Sequence, residues 1–320
     1  MSFHQIQTGD FNSSSTVRIP IPAGKWKALM LSVSGTGDTG DTIALVSMAN
    51  AILERRLRTP DGKAGSMVER MRETLDFFYY MNDLEGGQAS FASATAGAFS
   101  LRVFIPFGLE VAPNSMHLHT NEDAVLTLIA NATMLADSTG AIPWKLFGIS
   151  AEIPETYELD IHSYEHTFAG AATHTETILE DNIAAVLVED LTDKITNMVA
   201  TLDGQPMIDD CDDDDLRALT YYETKQEAIT NPLTLIDVIA GGLPSEALND
   251  SMKIRTTVSA ACTVTATALS IKPTPENVSQ ISAEVVAARS NSRIQRREFS
   301  ASAPLYSRAE IDAAGIGGAT

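Results

Sequence analysis

Short apolar runs rich in β-branched residues recur from residue 15 to about 272, with Gly, Pro, Asp and Asn between them. The clearest runs are Thr16–Ile21, Ala28–Val33, Thr42–Val46, Phe99–Ile105, Ala124–Ile129, Lys145–Ile149, Ile195–Leu202, Leu233–Ile239, Met252–Val258 and Cys262–Ile271. Evenly spaced short strands are typical of sandwiches and barrels and not of a βαβ sheet. The sequence therefore predicts an all-β fold.

Few segments have helical periodicity. Ser66–Phe78 places Met67, Met71, Leu75 and Phe78 at three- and four-residue spacing, which predicts an amphipathic helix. Thr175–Asp190 is open between helix and strand. Gly35–Gly40 precedes no predicted helix, so we interpret it as a hairpin turn and not as a phosphate-binding loop.

A faint internal repeat runs through the chain. Asn114–Thr120 (NSMHLHT) returns as Asp250–Thr256 (DSMKIRT), 136 positions later. A strand-like run that ends near a glycine precedes both copies, at Phe99–Gly108 and Leu233–Gly242. The tyrosine pair of Leu75–Tyr80 returns in Leu219–Tyr222. Because these echoes keep their order, they indicate an internal duplication.

Each half is then a strand-rich unit that suits an eight-stranded jelly roll. We predict an N-terminal arm at 1–14, a first jelly roll at 15–153, a second at 154–275 and a C-terminal arm at 276–320, with a few short helices. The halves would meet near Pro154–Tyr164. Alternation predicts that Met252 and Ile254 point inward and Lys253 and Arg255 outward.

The net charge of −20 predicts a chain that nucleic acid repels over most of its surface, so we expect no sequence-specific nucleic-acid binding. Two cysteines, Cys211 and Cys262, are too few for a disulfide framework and suggest a reducing compartment. The sequence contains none of the motifs GxSxG, HExxH and GxxxxGK[ST], and its GxGxxG match at Gly35–Gly40 precedes no predicted helix, so no catalytic residue and no cofactor is predicted.

Histidines form two groups that could suggest a metal site. His117 and His119 share one side of a strand, as in a two-domain cupin metalloenzyme. However, Glu122 follows at the wrong spacing, and Lys253 and Arg255 occupy the matching positions of the second copy. We therefore interpret both histidines as exposed strand residues. The second group is His162, His166 and His174 with Glu165 and Glu176, and it lacks a nucleophile or third ligand at definable spacing.

Residues 209–215 (DDCDDDD) form the sharpest charge run in the chain. Clustered carboxylates can hold Ca²⁺, and the candidate ligands are Asp209, Asp210, Asp212 and Asp213. The spacing matches no EF-hand, so a solvated loop is the main interpretation. Calcium that bridges subunits is the functional alternative.

The C-terminal arm carries a group of cations on an otherwise acidic chain: Arg289, Arg293, Arg296, Arg297 and Arg308. Three interpretations stay open: attraction to an anionic lipid surface, docking on an acidic neighbouring subunit, or simple solvation.

With two strand-rich halves over 15–272, a short N-terminal segment and a C-terminal arm, the chain resembles the double jelly-roll major capsid proteins of tailless, icosahedral, lipid-containing phages and their archaeal relatives. The strand, tight turn and strand predicted for Ile195–Asp210 are also typical of the sheets in such proteins. The resemblance implies a homotrimer whose six jelly rolls form a pseudo-hexagonal capsomer, with penton and minor capsid proteins and an internal membrane as further partners. It also implies a virion protein made in the host cytoplasm, with terminal arms that order only against neighbours or the membrane.

A different class of function stays as the alternative. A β-sandwich surface module, such as an adhesin or a carbohydrate-binding protein, would use exposed aromatic rings to stack on sugars. The candidate rings are Trp26, Trp144, Tyr79 and Tyr80.

Overall fold

The computed structural model describes residues 2–11, 16–58, 64–84, 89–107, 116–118, 123–150, 157–180, 183–202, 204–212, 215, 232–238 and 251–273. Up to residue 150 the strands are β1 (Ser2–Phe11), β2 (Thr16–Ile21), β3 (Gly24–Thr36), β4 (Ala49–Arg58), β5 (Ala64–Thr74), β6 (Ser90–Ser93), β7 (Ala98–Pro106), β8 (Met116–Leu118), β9 (Ala124–Ala130) and β10 (Ile142–Ser150). Two helices, α1 (Leu75–Leu84) and α2 (Ala132–Ala136), and a 3₁₀ turn at Leu45–Ser47 interrupt them.

The second half contains eight described strands: β11 (Tyr157–Phe168), β12 (Ala172–Leu179), β13 (Ile183–Glu189), β14 (Ile195–Leu202), β15 (Gln205–Cys211), β16 (Leu233–Asp237), β17 (Ser251–Val258) and β18 (Cys262–Pro273). One of its sheets has the order β16-β13-β18-β11 and the other has the order β12-β17-β14-β15. Apart from the hairpin of β14 and β15, successive strands alternate between the two antiparallel sheets, which is the jelly-roll arrangement. We call this half the second barrel.

The first barrel comprises β1 to β10. One of its sheets has the order β2-β9-β4-β5, and the other has the order β1-β10-β3-β7-β6, with β8 beside β3. The strand β1 pairs with β10 from Ser2↔Ser150 to Phe11↔Ile142. Residues 2–11 are therefore part of a sheet, and the expectation that the N-terminal segment orders only against neighbours is wrong for them.

One eight-stranded sheet runs through both barrels. Its order is β16-β13-β18-β11-β5-β4-β9-β2, so β11 of the second barrel lies beside β5 of the first. These two strands are parallel and share one registered pair, Ile161↔Met71, whereas every other pairing in the described sheets is antiparallel. We call the contact between β5 and β11 the seam. Its registered residue on β11, Ile161, falls within Pro154–Tyr164, and the chain boundary predicted near that segment stays a prediction.

Each barrel has its own apolar core. The first is built around Phe11, Leu29, Leu53, Phe78 and Trp144, and it extends across the seam to Leu159 and Ile161. The second is built around Ile178, Val186, Met198, Met252 and Ile254. The domain limits at 14/15, 153/154 and 275/276 stay predictions, because residues 12–15, 151–156 and those after 273 lie outside the described residues.

Side-chain alternation follows the prediction along β17. Met252 and Ile254 are buried, while Lys253 and Arg255 are exposed. Ile195–Asp210 also forms the predicted strand, turn and strand, since β14 and β15 flank Gly204 at a φ of +76°. A positive φ is a conformation that glycine adopts without a Cβ penalty.

Three local predictions are wrong. Ser66–Phe78 is not one helix, because β5 continues to Thr74 and α1 begins at Leu75. Thr42–Val46 is not a strand, since the chain turns there in a 3₁₀ geometry that buries Ile43 and exposes Val46. Gly35–Gly40 consequently does not close a hairpin; β3 continues to Thr36, and Gly37 bridges to Ser138.

The structure resolves the open segment Thr175–Asp190 as the strands β12 and β13. It also places the repeat echoes. The strands that carry the first echo are β8 and β17. In the first barrel β8 pairs with β3, and in the second barrel β17 pairs with β12. The strands β7 and β16 lie in non-equivalent sheets, so that second echo has no topological counterpart. The described part of the chain contains no helix long and apolar enough to cross a membrane.

Candidate functional site: the seam between the barrels

An ion pair is buried at the seam. Arg70 on β5 donates from Nη1 to both carboxylate oxygens of Asp160 on β11, at 2.7 and 2.8 Å. The two side chains are 10% and 6% exposed. A buried charge is strongly disfavoured without a partner, so each residue requires the other strand to stay in place. The pair thereby fixes the position of one barrel relative to the other.

Glu73 is a second buried titratable residue on β5, and it contacts the second barrel. The Ser163 hydroxyl of β11 donates to Glu73 Oε1, and Ser163 Oγ lies 2.9 Å from Thr267 Oγ1 of β18. Burial raises the pKa of Glu73 to about 8, and the negative charge of Glu189 contributes to this shift. Near neutral pH the Glu73 side chain is therefore largely protonated.

Asp76 and Glu189 extend this group. Burial raises the pKa of Asp76, at the start of α1, against the opposing effect of a hydrogen bond from Thr74. Burial also raises the pKa of Glu189, at the end of β13, to about 7, with contributions from Asp76 and Asp190. We call Glu73, Asp76 and Glu189 the carboxylate cluster. Two of its members come from the first barrel and one from the second.

The raised pKa values of the carboxylate cluster mean that its side chains bind protons more tightly than exposed carboxyl groups do. Tyr80 of α1 also has a raised pKa, because it is partly buried and because Asp76 and Glu189 are near. Across the described residues, no group of three or more His, Cys, Asp or Glu side chains has a geometry that could hold a metal ion. The arrangement at the seam can therefore link the stability of the barrel contact to pH.

A second feature is a shallow groove at the side of the second barrel where β11 and β12 meet. His166 and His174 stack face to face across it with ring centroids 3.5 Å apart. His174 Nε2 lies 3.2 Å from Glu176 Oε2. Parallel stacked rings point their nitrogen lone pairs side by side and not toward one central point, so the pair does not form a metal-binding corner. We call this the histidine groove.

The groove tests the second predicted histidine group. His166, His174 and Glu176 line it, with Tyr164 and Phe168, but His162 and Glu165 do not. The Tyr164 hydroxyl donates to Glu180 Oε1 at 2.9 Å. Burial and that hydrogen bond raise the pKa of Tyr164, so the phenol stays protonated. The floor of the groove is apolar and contains Val188, Ile254, Val264 and Ala266.

The calcium candidates are only partly described. Asp209, Asp210 and Asp212 are exposed at the end of β15, and Asp213 lies outside the described residues. Asn197 Nδ2 donates to Asp210 Oδ1 at 2.9 Å, and Asp212 Oδ1 accepts the backbone N–H of Asp215 at 3.0 Å. Calcium binding there stays a prediction. Both cysteines are free thiols, with Cys262 buried and Cys211 half-buried.

Two other predicted groups of residues, the arginines of the C-terminal arm and the first histidine pair, fall on residues or side chains that the structure does not describe. The arm cations Arg289, Arg293, Arg296, Arg297 and Arg308 lie outside the described residues, as do His119 and the side chain of His117. The neighbours of His117, Met116 and Leu118, are buried in the first core.

The rings proposed for sugar stacking are not available for it. Trp26 and Trp144 are 6% and 2% exposed, and both belong to the first core. Trp26 Nε1 donates to the carbonyl oxygen of Pro22 at 2.9 Å, which satisfies the indole inside the protein. Tyr79 and Tyr80 are half-buried and pack edge to face on each other. The expectation of exposed tryptophans is therefore wrong.

Sequence reasoning missed the seam residues, although one signal could have found them. Leu159, Asp160 and Ile161 are consecutive strand residues, and all three are buried. A strand buried on both faces lies in the middle of a covered sheet. A charged residue inside such a run indicates a buried partner on the adjacent strand.

No model of a known protein family matches this sequence, and no curated protein matches it. Solved structures do resemble the fold. A chain of the Sulfolobus Turreted Icosahedral Virus matches with a TM-score of 0.60 and 13% identity over 92% of this chain and 98% of that one. The major capsid protein P2 of Bacteriophage PM2 gives a TM-score of 0.53 at 12% identity, over 85% of this chain and 97% of its own.

A chain of the PBCV-1 virus capsid matches with a TM-score of 0.54 and 11% identity, over 84% of this chain and 93% of that one. Each match covers both barrels, so the likeness concerns the whole two-barrel arrangement. The TM-scores establish a shared fold. Because the sequence identities are only 11–13%, function has to be argued separately. The fold of this chain is the double jelly roll that these viral proteins share, as its sequence predicted.

Proposed function

We propose that this chain is a viral major capsid protein, and that its role is structural and not catalytic. The observation that carries the proposal is the pair of jelly rolls joined through one continuous sheet. Capsid chains from a bacteriophage and from PBCV-1 match this fold over 97% and 93% of their own lengths. Its location would be the virion, after synthesis in the host cytoplasm.

The seam supports a specific assembly mechanism. Three chains with two similar barrels each present six barrel-sized units around a threefold axis, so a homotrimer approximates sixfold symmetry. That shape tiles a shell only if the two barrels keep a fixed relative position. The buried Arg70–Asp160 pair and the hydrogen bond from Ser163 to Glu73 restrain that position from both strands of the seam.

The remaining partners follow from the proposed role. Neighbouring capsomers, penton proteins and minor capsid proteins would contact the exposed edges of the barrels. The arginines of the C-terminal arm would bind an acidic neighbouring subunit or the anionic surface of an internal membrane. Calcium held by the aspartates near Cys211 would be a bridge between subunits.

The proposal is tested by the mass and shape of the purified protein. Light scattering after gel filtration should give three times the protomer mass of 34.3 kDa, and negative-stain images should show pseudo-hexagonal particles. A stable monomer that forms no larger particles at high protein concentration would contradict the proposal. That result would favour a surface binding module, while stoichiometric iron, manganese or zinc would favour a cupin-type enzyme.

A further inference from the structure

The strand β12 is an edge strand that has neither a bulge nor a proline, two of the usual protections against pairing. Its register with β17 is unbroken from Ala172↔Val258 to Leu179↔Ser251, and no described strand pairs with its other side. It contains no proline and no lysine. Natural edge strands are normally short, bulged, or marked by proline or charge, because a long and regular edge is a template for another strand.

The other described edges all carry such protection. The strand β2 contains Arg18 and Pro20, and β15 contains Pro206 and two register shifts. The strands β6 and β16 are four and five residues long, and β1 has a register shift at Gln5/Gln7. At eight residues without a shift, β12 is the exception.

The open side of β12 presents backbone groups that need partners. The N–H of Thr177 donates to the side-chain oxygen Oε1 of Glu176 at 3.2 Å, so it is directed away from β17. N–H groups alternate between the two sides of an antiparallel strand. Those of Thr173 and Thr175 therefore also face the open side. All three threonine side chains are exposed on the outer face.

The sequence of β12 is self-complementary about Thr175. In an antiparallel pair of two copies centred there, His174 lies opposite Glu176 twice, and threonine lies opposite threonine at Thr173/Thr177 and at Thr175 itself. A shift of the centre by one residue either way places His174 opposite His174 or Glu176 opposite Glu176. Like charges opposite each other are destabilising, so the charges select one register.

An exposed apolar side chain lies at the end of the same strand. Leu179 is 72% exposed, more than any other large hydrophobic side chain among the described residues. In the register centred on Thr175 it would lie beside Ala171 of the second copy. The added strand would also cover the histidine groove, whose rim carries His174 and Glu176.

We propose that β12 pairs antiparallel with β12 of a second copy of this chain, with Thr175 on a twofold axis. Up to about six backbone hydrogen bonds would join the two edges. A contact of identical surfaces requires a twofold axis, which a threefold trimer does not contain. The pair therefore joins protomers of two different capsomers, and in this respect the inference rests on the proposed function.

Cross-linking tests the register. In a Cys211→Ser background, Thr175→Cys should give a dimer band with a thiol reagent that spans about 5 Å, the separation of opposite Cβ atoms. A mixture of Thr173→Cys and Thr177→Cys proteins should also cross-link, and either one alone should not. Thr263→Cys is the matched control, since Thr263 is an exposed threonine on the inner strand β18.

Charge substitution tests the selection of the partner. His174→Glu places two acids opposite each other at both ends of the pair and should weaken association between trimers by about tenfold. The double variant His174→Glu, Glu176→His restores opposite charges and should restore association. If trimers and shells form but Thr175→Cys gives no more dimer than Thr263→Cys, the pairing is wrong and the proposed function stands. If no trimers form, the proposed function itself fails.

Discussion

The ion pair at the seam gives the most direct test of how the two barrels are held together. Asp160→Asn removes the carboxylate charge and leaves the Arg70 guanidinium buried at about 10% exposure. Removing one partner of a buried pair typically costs about 3–5 kcal/mol, because the remaining charge loses its two short contacts to the carboxylate while it stays buried. We expect a loss of this size in the free energy of unfolding.

The measurement is urea or thermal denaturation at a fixed protomer concentration, since the stability of an oligomer depends on concentration. For a chain of 320 residues, an unfolding entropy of about 2.1 cal/mol/K per residue makes 3–5 kcal/mol correspond to a fall in melting temperature of about 4–7 °C. Trp26 and Trp144 both belong to the first core, so their fluorescence reports that barrel. Circular dichroism reports both barrels.

Two variants separate the pair from general damage. Glu54→Gln breaks the Arg18–Glu54 pair, which is 3.3 Å long with side chains 65% and 32% exposed, and should cost less than about 1 kcal/mol. The double variant Arg70→Met, Asp160→Leu removes both charges and should recover most of the loss. A cost of Asp160→Asn no greater than that of Glu54→Gln would refute the reasoning, and so would a double variant as unstable as the single one.

Four further outcomes are expected. The free energy of unfolding should fall as the pH rises from about 4.5 to about 8, because folded Glu73 and Glu189 hold protons that the unfolded chain has already released. Glu73→Gln should reduce the slope of this pH dependence by up to about 1.4 kcal/mol per pH unit. A free energy of unfolding that does not change with pH would contradict the buried carboxylate cluster. Gly148→Ala should cost about 1–3 kcal/mol, since a Cβ there overlaps an indole ring, whereas Gly170→Ala has open space and should be neutral; equal melting temperatures would contradict this packing. Deletion of 290–320 should leave trimers folded by gel filtration but impair shell assembly, and normal shells would remove the arm from the mechanism. Asparagine at the aspartates of 209–213 should leave particle stability unchanged, and a loss that calcium chelation reproduces would instead establish a calcium bridge.

The sequence predicted β17 of the second barrel well because this strand obeys simple alternation, whereas Thr175–Asp190 stayed open between helix and strand because β13 is buried on both faces. Met252 and Ile254 face the core and the intervening cations face solvent, so a period of two is visible directly. The strand, turn and strand around Gly204 could also be predicted, since the turn residue and both apolar runs are local features. Where packing involves one buried face, sequence pattern and structure agree.

The segment 66–78 shows why other parts could not be predicted. In β5, Met71 and Glu73 are buried on one face and Arg70 is buried on the other, so two charged residues occupy interior positions. These buried charges hide the period of two, and the remaining apolar residues fit helical spacing. The information that resolves the pattern is non-local, because Asp160 and Ser163, which bind Arg70 and Glu73, lie 90 residues further along the chain.

The composition of the groove was also beyond the sequence. His166 and His174 lie on strands of different sheets, and only the corner between β11 and β12 stacks their rings. Spacing along the chain grouped them with His162, which the structure separates from both. The sequence predicted a region rich in histidine. Which histidines contact each other depends on the turn between β11 and β12.

The parallel contact of β5 with β11 has a mechanical consequence. Along the eight-stranded sheet it is the ladder with one registered pair, whereas the neighbouring ladder of β11 with β18 extends over twelve. A bending force applied to the protomer therefore breaks the fewest backbone hydrogen bonds at this line. The side chains of Arg70 and Asp160 lie on this line and supply there the restraint that backbone pairing does not. The fixed position of the two barrels therefore depends more on buried side-chain contacts than on the continuity of the sheet.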